Sequence, residues 1–225
     1  MTRASQALLT SRPERVTRPD ALPTGLRRLG LGGTRDALLF IPSRRAEDRP
    51  MPLVLGFHGA GGVGAQMVDM LRSACEARGV AILAPDSRGA TWDIIRGAYG
   101  PDIAFIDRAL RSVFDEAPID SARIAAAGFS DGASYALSVG IANGPLFSDI
   151  LAFSPGFMAP PAHTGRPRVF ISHGVGDEVL PIAACSRQIV PRLTAAGYDV
   201  AYEEFDGGHV VPSLLVERSL TRFLT

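Results

Sequence analysis

Along this chain, short and almost wholly apolar runs alternate with stretches in which apolar residues recur every three or four positions. Runs of the first kind mark strands buried on both faces; stretches of the second kind mark helices with one apolar stripe. "LVLGFHG" (53–59), "VAILAPD" (80–86), "RIAAAGF" (123–129), "DILAFSP" (149–155), "RVFISHG" (168–174) and "YDVAYEEF" (198–205) predict strands. "GLRRLGLG" (25–32) and "DALLFIP" (36–42), joined by the turn residues Gly32 and Gly33, predict an opening hairpin and make about eight strands in all. Between them, Met67, Met70, Leu71, Ala74 and Cys75 form one helical stripe. Ile103, Ile106, Leu110 and Val113 form another, with Asp107, Arg108, Arg111 and Asp115 facing out. Ile182, Ile189 and Leu193 mark a later helix, and Val216, Leu220, Phe223 and Leu224 a terminal one. Strands that alternate with helices imply an α/β fold, a mainly parallel sheet flanked by helices on both faces. The connections leave no room for a sizeable cap domain. Residues 25–225 therefore read as one domain behind an N-terminal extension of residues 1–24.

Composition narrows the partners more than the fold. With 225 residues, 46% of them hydrophobic, the chain can bury a sizeable core. Lys+Arg and Asp+Glu balance at 23 each, which argues against nucleic acid and a polybasic membrane patch and for small, uncharged partners. Cys75 and Cys185 are the two cysteines and suggest buried thiols; there is no Cys/His spacing for zinc. Residues 1–24 hold no apolar run longer than "ALL", and no segment approaches a membrane span, so stable membrane insertion is not expected. The expectation is a soluble, cytoplasmic protein, a monomer or homodimer, without metal or cofactor.

The sheet gives "RIAAAGFSDGASYALS" (123–138) its meaning. Ligands of such sheets bind beyond the carboxyl ends of the strands, and Ser130 falls where a strand passes directly into a helix. Gly128 and Gly132 remove the side chains that would collide in that bend, which leaves Ser130 exposed at its tip, near a helix N-terminus. A bare G-x-S-x-G is common, and a serine capping a helix is the ordinary alternative; the strand-to-helix context makes this one a nucleophile elbow.

A serine hydroxyl needs a base, and the base an orienting acid. Of the four histidines, His58 and His173 precede glycines at strand ends, where they brace loops, and His163 lies in a Pro-rich stretch. His209, in "DGGHVVP" after the last strand, lies at the carboxyl edge and is the candidate base. Asp149 and Asp199 start strands, at the wrong edge. Asp177, in "HGVGDEVLP", is at the right one and leads, with Asp206 as its competitor and Glu178 as a surface acid. For the developing oxyanion, the N–H of Asp131 and that of Ala60 in "HGAGG" (58–62) are the candidate donors. A phosphate cradle is the other use of such a Gly-rich loop, but no Walker Lys-Ser/Thr and no G-x-G-x-x-G is present.

With "GFHGAGG", "APDSRGATWD", "AAGFSDGASYAL", "FSPGF", "ISHGVGDEVLPI" and "FDGGHVVP" in this order from about residue 36 to the end, the chain resembles the α/β-hydrolases, and among them the phospholipase/carboxylesterase family of acyl-protein thioesterases and small esterases. It departs in two places, and in the first of them Asp131 stands where that family often has Gln. "PDSRGATWD" with "GPDIAFIDRAL" is also similar to the polyhydroxybutyrate depolymerase and feruloyl esterase-like branch. The resemblance implies a serine esterase that cleaves short- to medium-chain carboxylic esters through an acyl-enzyme. The alternatives are a lysophospholipase or thioesterase, a polyester or feruloyl-type esterase, and, in another class, a hydrolase-fold binding protein without catalysis. Trp92, Tyr99, Phe157 and Met158, in the two longest connections at this edge, are candidates to line an open substrate pocket.

Overall fold

The structure, a computed structural model, describes residues 7–13, 22–46 and 49–225. All eight expected strands form: β1 (Gly25–Arg28), β2 (Ala37–Ile41), β3 (Met51–Phe57), β4 (Ala81–Pro85), β5 (Ile119–Phe129), β6 (Asp149–Phe153), β7 (Arg168–Gly174) and β8 (Val200–Phe205). Among the described residues five α-helices cover them, α1 (Gly64–Arg78), α2 (Pro101–Glu116), α3 (Asp131–Ala142), α4 (Ser186–Ala195) and α5 (Ser213–Leu224), with a short 3-10 turn at Asp93–Arg96. The sheet runs in the order β1-β2-β4-β3-β5-β6-β7-β8. The pairs β1–β2 and β2–β4 are antiparallel and the rest parallel; helices make the crossovers except between β6 and β7, which the loop 154–167 joins.

The apolar runs are buried on both faces because successive side chains leave a strand on opposite sides. On β3, Leu53, Leu55 and Phe57 join the core under α2, α3 and α4, while Val54 joins the core under α1 and α5. Helix limits follow local chemistry. Pro101 opens α2, where its missing N–H costs nothing. Gly79 closes α1 in the left-handed region (φ 69°), its N–H turned back on the carbonyls of Cys75 and Glu76.

β1 stops at Arg28, earlier than the apolar run suggested, because the Asp36 carboxylate accepts the N–H groups of Gly30 (2.7 Å) and Leu31 (3.0 Å) and folds them into a loop. Of the N-terminal extension, residues 7–13 lie against α2 and α3. The Leu9 N–H donates to Asn143 Oδ1 (2.8 Å), and those of Thr10 (2.7 Å) and Ser11 (2.8 Å) to Asp107 Oδ1. Residues 1–6 and 14–21 of the extension lie outside the described residues. Cys75 and Cys185 are buried free thiols, and burial pushes the Cys75 pKa up to about 12. Among the described residues no helix is long and apolar enough to cross a membrane.

Candidate active site

β5 ends at Phe129 and α3 begins at Asp131, so the chain reverses within one residue. Ser130 makes that turn at φ 58°, ψ −122°, a region that L-residues rarely occupy and that persists only when the surroundings enforce it. The enforcement is visible in the backbone. The Ser130 N–H donates to Phe153 O (3.0 Å), and Ser130 O accepts from the N–H groups of Ala133 (2.9 Å) and Ser134 (3.1 Å). A Cβ on Gly128 would collide with the Gly132 carbonyl, and one on Gly132 with the Phe57 carbonyl. These two positions admit only glycine if strand and helix are to approach this closely.

The loops after β7 and β8 meet over Ser130. His209 Nε2 lies 2.9 Å from Ser130 Oγ, and His209 Nδ1 lies 2.6 Å from Asp177 Oδ2. The Asp177 carboxylate is wholly buried. Its other oxygen accepts the N–H groups of Val179 (2.9 Å) and Leu180 (2.8 Å). Burial is the largest single influence and would raise its pKa, but the Leu180 N–H, the His209 ring and the Val179 N–H together outweigh it and hold the carboxyl below its ordinary value. Asp177 is thus an anion aimed at Nδ1, which fixes the tautomer that leaves Nε2 free to accept a proton from Ser130. Asp206 is exposed, and the His209 hydrogen bonds go to Asp177 and Ser130 instead. Phe129 lies under the imidazole, ring centroids 4.7 Å apart.

The "HGAGG" loop closes the opposite side. A Cβ on Gly59 would stand 3.4 Å from Ser130 Cβ, so the loop rests directly on the elbow. Gly59 O faces His58 Nδ1 (2.7 Å) and accepts the Gly62 N–H (3.1 Å), while His58 Nε2 accepts the Ser87 N–H (3.0 Å). Because the peptide is trans and planar, the Ala60 N–H points the opposite way from that anchored carbonyl. The Asp131 N–H belongs to the first turn of α3, which has no acceptor within the helix. The Asp131 side chain accepts from Thr91 Oγ1 at 2.7 Å, so its carboxylate is tied to a hydroxyl donor.

The four residues expected to line the pocket separate. Trp92 does not line an open pocket: it is 0% exposed, stacks on Tyr135 (4.7 Å between centroids), meets Phe57 edge-on and donates from Nε1 to His58 O (2.8 Å). An indole with every face packed and its one donor used is core, and here it supports the "HGAGG" loop from beneath. Tyr99, Phe157 and Met158 are half-buried at the carboxyl edge. Tyr99 donates its hydroxyl to Ala159 O (2.8 Å), which joins the two connections. Ser134 Oγ accepts from the N–H groups of Gly156 (2.9 Å) and Phe157 (3.3 Å), and Ser138 Oγ from that of Ala159 (2.9 Å). Serines one helical turn apart on α3 thus fasten the loop that carries Phe157 and Met158. Neither Thr91 nor these serines stood out in the sequence, although the spacing of Ser130, Ser134 and Ser138 at four residues was a readable sign of one helix face.

No protein-family model matches the chain. Feruloyl esterase C of Emericella nidulans is 30% identical to it over 156 residues, 66% of this chain and 57% of that protein, so the chain spans little more than half the length of the curated relatives it matches. The crystal structure of esterase PE8 superimposes with a TM-score of 0.64 at 22% identity, covering 84% of this chain and 96% of that one. A CE1 ferulic acid esterase of Anaeromyces mucronatus, solved in complex with ferulic acid, superimposes with a TM-score of 0.64 at 16% identity, covering 92% of each chain.

Proposed function

This chain has the α/β-hydrolase fold, and from that premise we propose that it is a metal-independent serine carboxylesterase acting on short- to medium-chain carboxylic esters. The observation that carries the reading is the unbroken Ser130–His209–Asp177 chain, 2.9 Å and 2.6 Å long, at the carboxyl edge of the sheet. Ser130 Oγ attacks the acyl carbonyl while His209 Nε2 takes its proton, and Asp177 stabilises the imidazolium that results. The N–H groups of Ala60 and Asp131 hold the oxyanion. The alcohol leaves with the proton returned by His209. Water, activated by the same nitrogen, then attacks the acyl-enzyme, and the acid is released with Ser130 restored.

Aryl esters of the feruloyl type are the second reading, favoured by the similarity to feruloyl esterase C. The buried free thiols fit a reducing compartment, and the proposal extends to a cytoplasmic enzyme. A panel of p-nitrophenyl esters of increasing acyl length, assayed beside methyl ferulate with fluorophosphonate labelling, tests both readings. The expected outcome is labelling at Ser130 and a pre-steady-state burst, with the fastest turnover among the short acyl chains. Preference for methyl ferulate selects the second reading; absence of both label and turnover rejects catalysis.

Within this reading, Thr91 keeps the Asp131 charge away from the oxyanion. Hydrogen bonds to charged groups contribute about 1.5–3 kcal/mol, and Thr91→Val frees that carboxylate beside a site where negative charge develops. A fall in kcat of about tenfold at little change in KM is expected, with most of it recovered in Thr91→Val/Asp131→Asn. An unchanged kcat in Thr91→Val would assign the restraint of Asp131 to the helix alone.

A further inference from the structure

The Asp177 carboxylate has a second histidine beside it. His173, the penultimate residue of β7, is 0% exposed, and its Nε2 lies 3.2 Å from the same Oδ2 that faces His209. The same Nε2 lies 2.8 Å from Leu180 O, and Nδ1 lies 2.6 Å from Ser186 Oγ at the start of α4. These contacts determine the tautomer. A carbonyl oxygen can only accept, so Nε2 carries the proton; Nδ1 is then the acceptor, and the Ser186 hydroxyl donates to it. Burial pushes the His173 pKa down, against the opposing influence of Leu180 O and Asp177, which keeps the ring neutral. The charged and titratable groups around the ring are Asp177, His209 and Glu204, its cross-strand neighbour on β8. Glu204 is already engaged by Arg187, at 2.9 Å and 2.7 Å.

Resting on the triad reading above, we propose that His173 is a positioning residue for the reaction: its Nε2–H holds the turn that carries Asp177 and keeps Oδ2 opposite His209. Leu180 is the hinge of the argument. Its N–H grips Asp177 Oδ1 while its carbonyl is held by His173, so one residue links the buried imidazole to the carboxylate through its two flanking peptides. Ser186 extends the link to α4. A merely structural histidine would need the Ser186 and Leu180 contacts alone; the approach to Oδ2 at 3.2 Å is what connects it to catalysis. Neutrality is part of the role, because a cation so close would compete with His209 for the same carboxylate charge.

The test compares His173→Phe, which keeps a ring but has no donor, with His173→Gln, which restores a neutral N–H donor. Esterase kinetics are measured after folding and the melting temperature are checked by circular dichroism. His173→Phe is expected to lose roughly 10- to 100-fold in kcat at little change in KM, as a displaced catalytic group does. The loss should fall on kcat rather than on KM or the melting temperature, which a merely structural histidine would not produce. His173→Gln should recover most of the rate. Should His173→Phe fail to fold, Ser186→Ala gives the milder form of the same test, with a smaller fall in kcat at little change in KM. Folded variants with wild-type kcat, or a His173→Gln that recovers nothing, overturn the proposal. Fluorophosphonate labelling of the wild type separates the two levels: no label at Ser130 removes the triad reading itself, whereas a labelled wild type with insensitive variants removes only the role of His173.

Discussion

Ser130→Ala is expected to abolish fluorophosphonate labelling and to lower turnover of p-nitrophenyl esters by about 10⁵- to 10⁶-fold, with the fold intact. The size follows from the loss of the covalent route: without a nucleophile, neither His209 nor the oxyanion donors have an acyl transfer to assist. What remains is the binding and oxyanion contribution, about 10³- to 10⁴-fold over water in comparable triads. Folding should survive because Ser130 Oγ faces His209, while the contacts that hold the elbow are made by the Ser130 backbone to Phe153, Ala133 and Ser134. Alanine meets the same cost as serine at φ 58°, so the melting temperature should change little. Retained activity in a folded Ser130→Ala protein would overturn the assignment of the nucleophile.

That assignment was readable from residue order because it depends on strand ends. Eight apolar runs fixed which loops reach the carboxyl edge, and Ser130, Asp177 and His209 lie on three of those loops. Strict glycine positions added the elbow: the carbonyls of Gly132 and Phe57 leave no space for a side chain at Gly128 or Gly132. Trp92 differs from its expected place for a physical reason. A large aromatic in a loop at the site edge looks like a pocket wall, and only its stacking on Tyr135 and its bond to His58 O reveal a core residue beneath the oxyanion loop. Thr91 and His173 were equally hard to assign, because a hydroxyl and an imidazole gain their meaning from which oxygen they face. The end of β1 was lost to a side chain, the Asp36 carboxylate, that no apolar pattern records.

Asp177→Asn is expected to lower kcat by about 10⁴-fold, and Asp206→Asn to leave it near the wild-type value. Both acids lie at the correct edge of the sheet, so residue order alone left them in competition; the geometry separates them. Asp177 Oδ2 lies 2.6 Å from His209 Nδ1, whereas Asp206 is exposed. An asparagine at 177 can present its amide NH₂ to Nδ1, which then accepts, and the ring proton moves to Nε2. The base would be in the wrong tautomer, and the imidazolium would lose its counter-charge as well. The substitution should also alter stability in a pH-dependent way. Because the folded Asp177 pKa lies below that of the unfolded chain, about 3.9, ionised Asp177 contributes stability at pH values above the unfolded pKa. That contribution is lost as pH falls through the folded value. The difference in unfolding free energy between wild type and Asp177→Asn should therefore be level from neutral pH down to about 5 and shrink below it, as urea titrations at several pH values would read. Asp206→Asn removes an exposed side chain and no buried anion. A large kcat loss in Asp206→Asn with a mild one in Asp177→Asn would exchange the two acids, and with them the residue that orients His209.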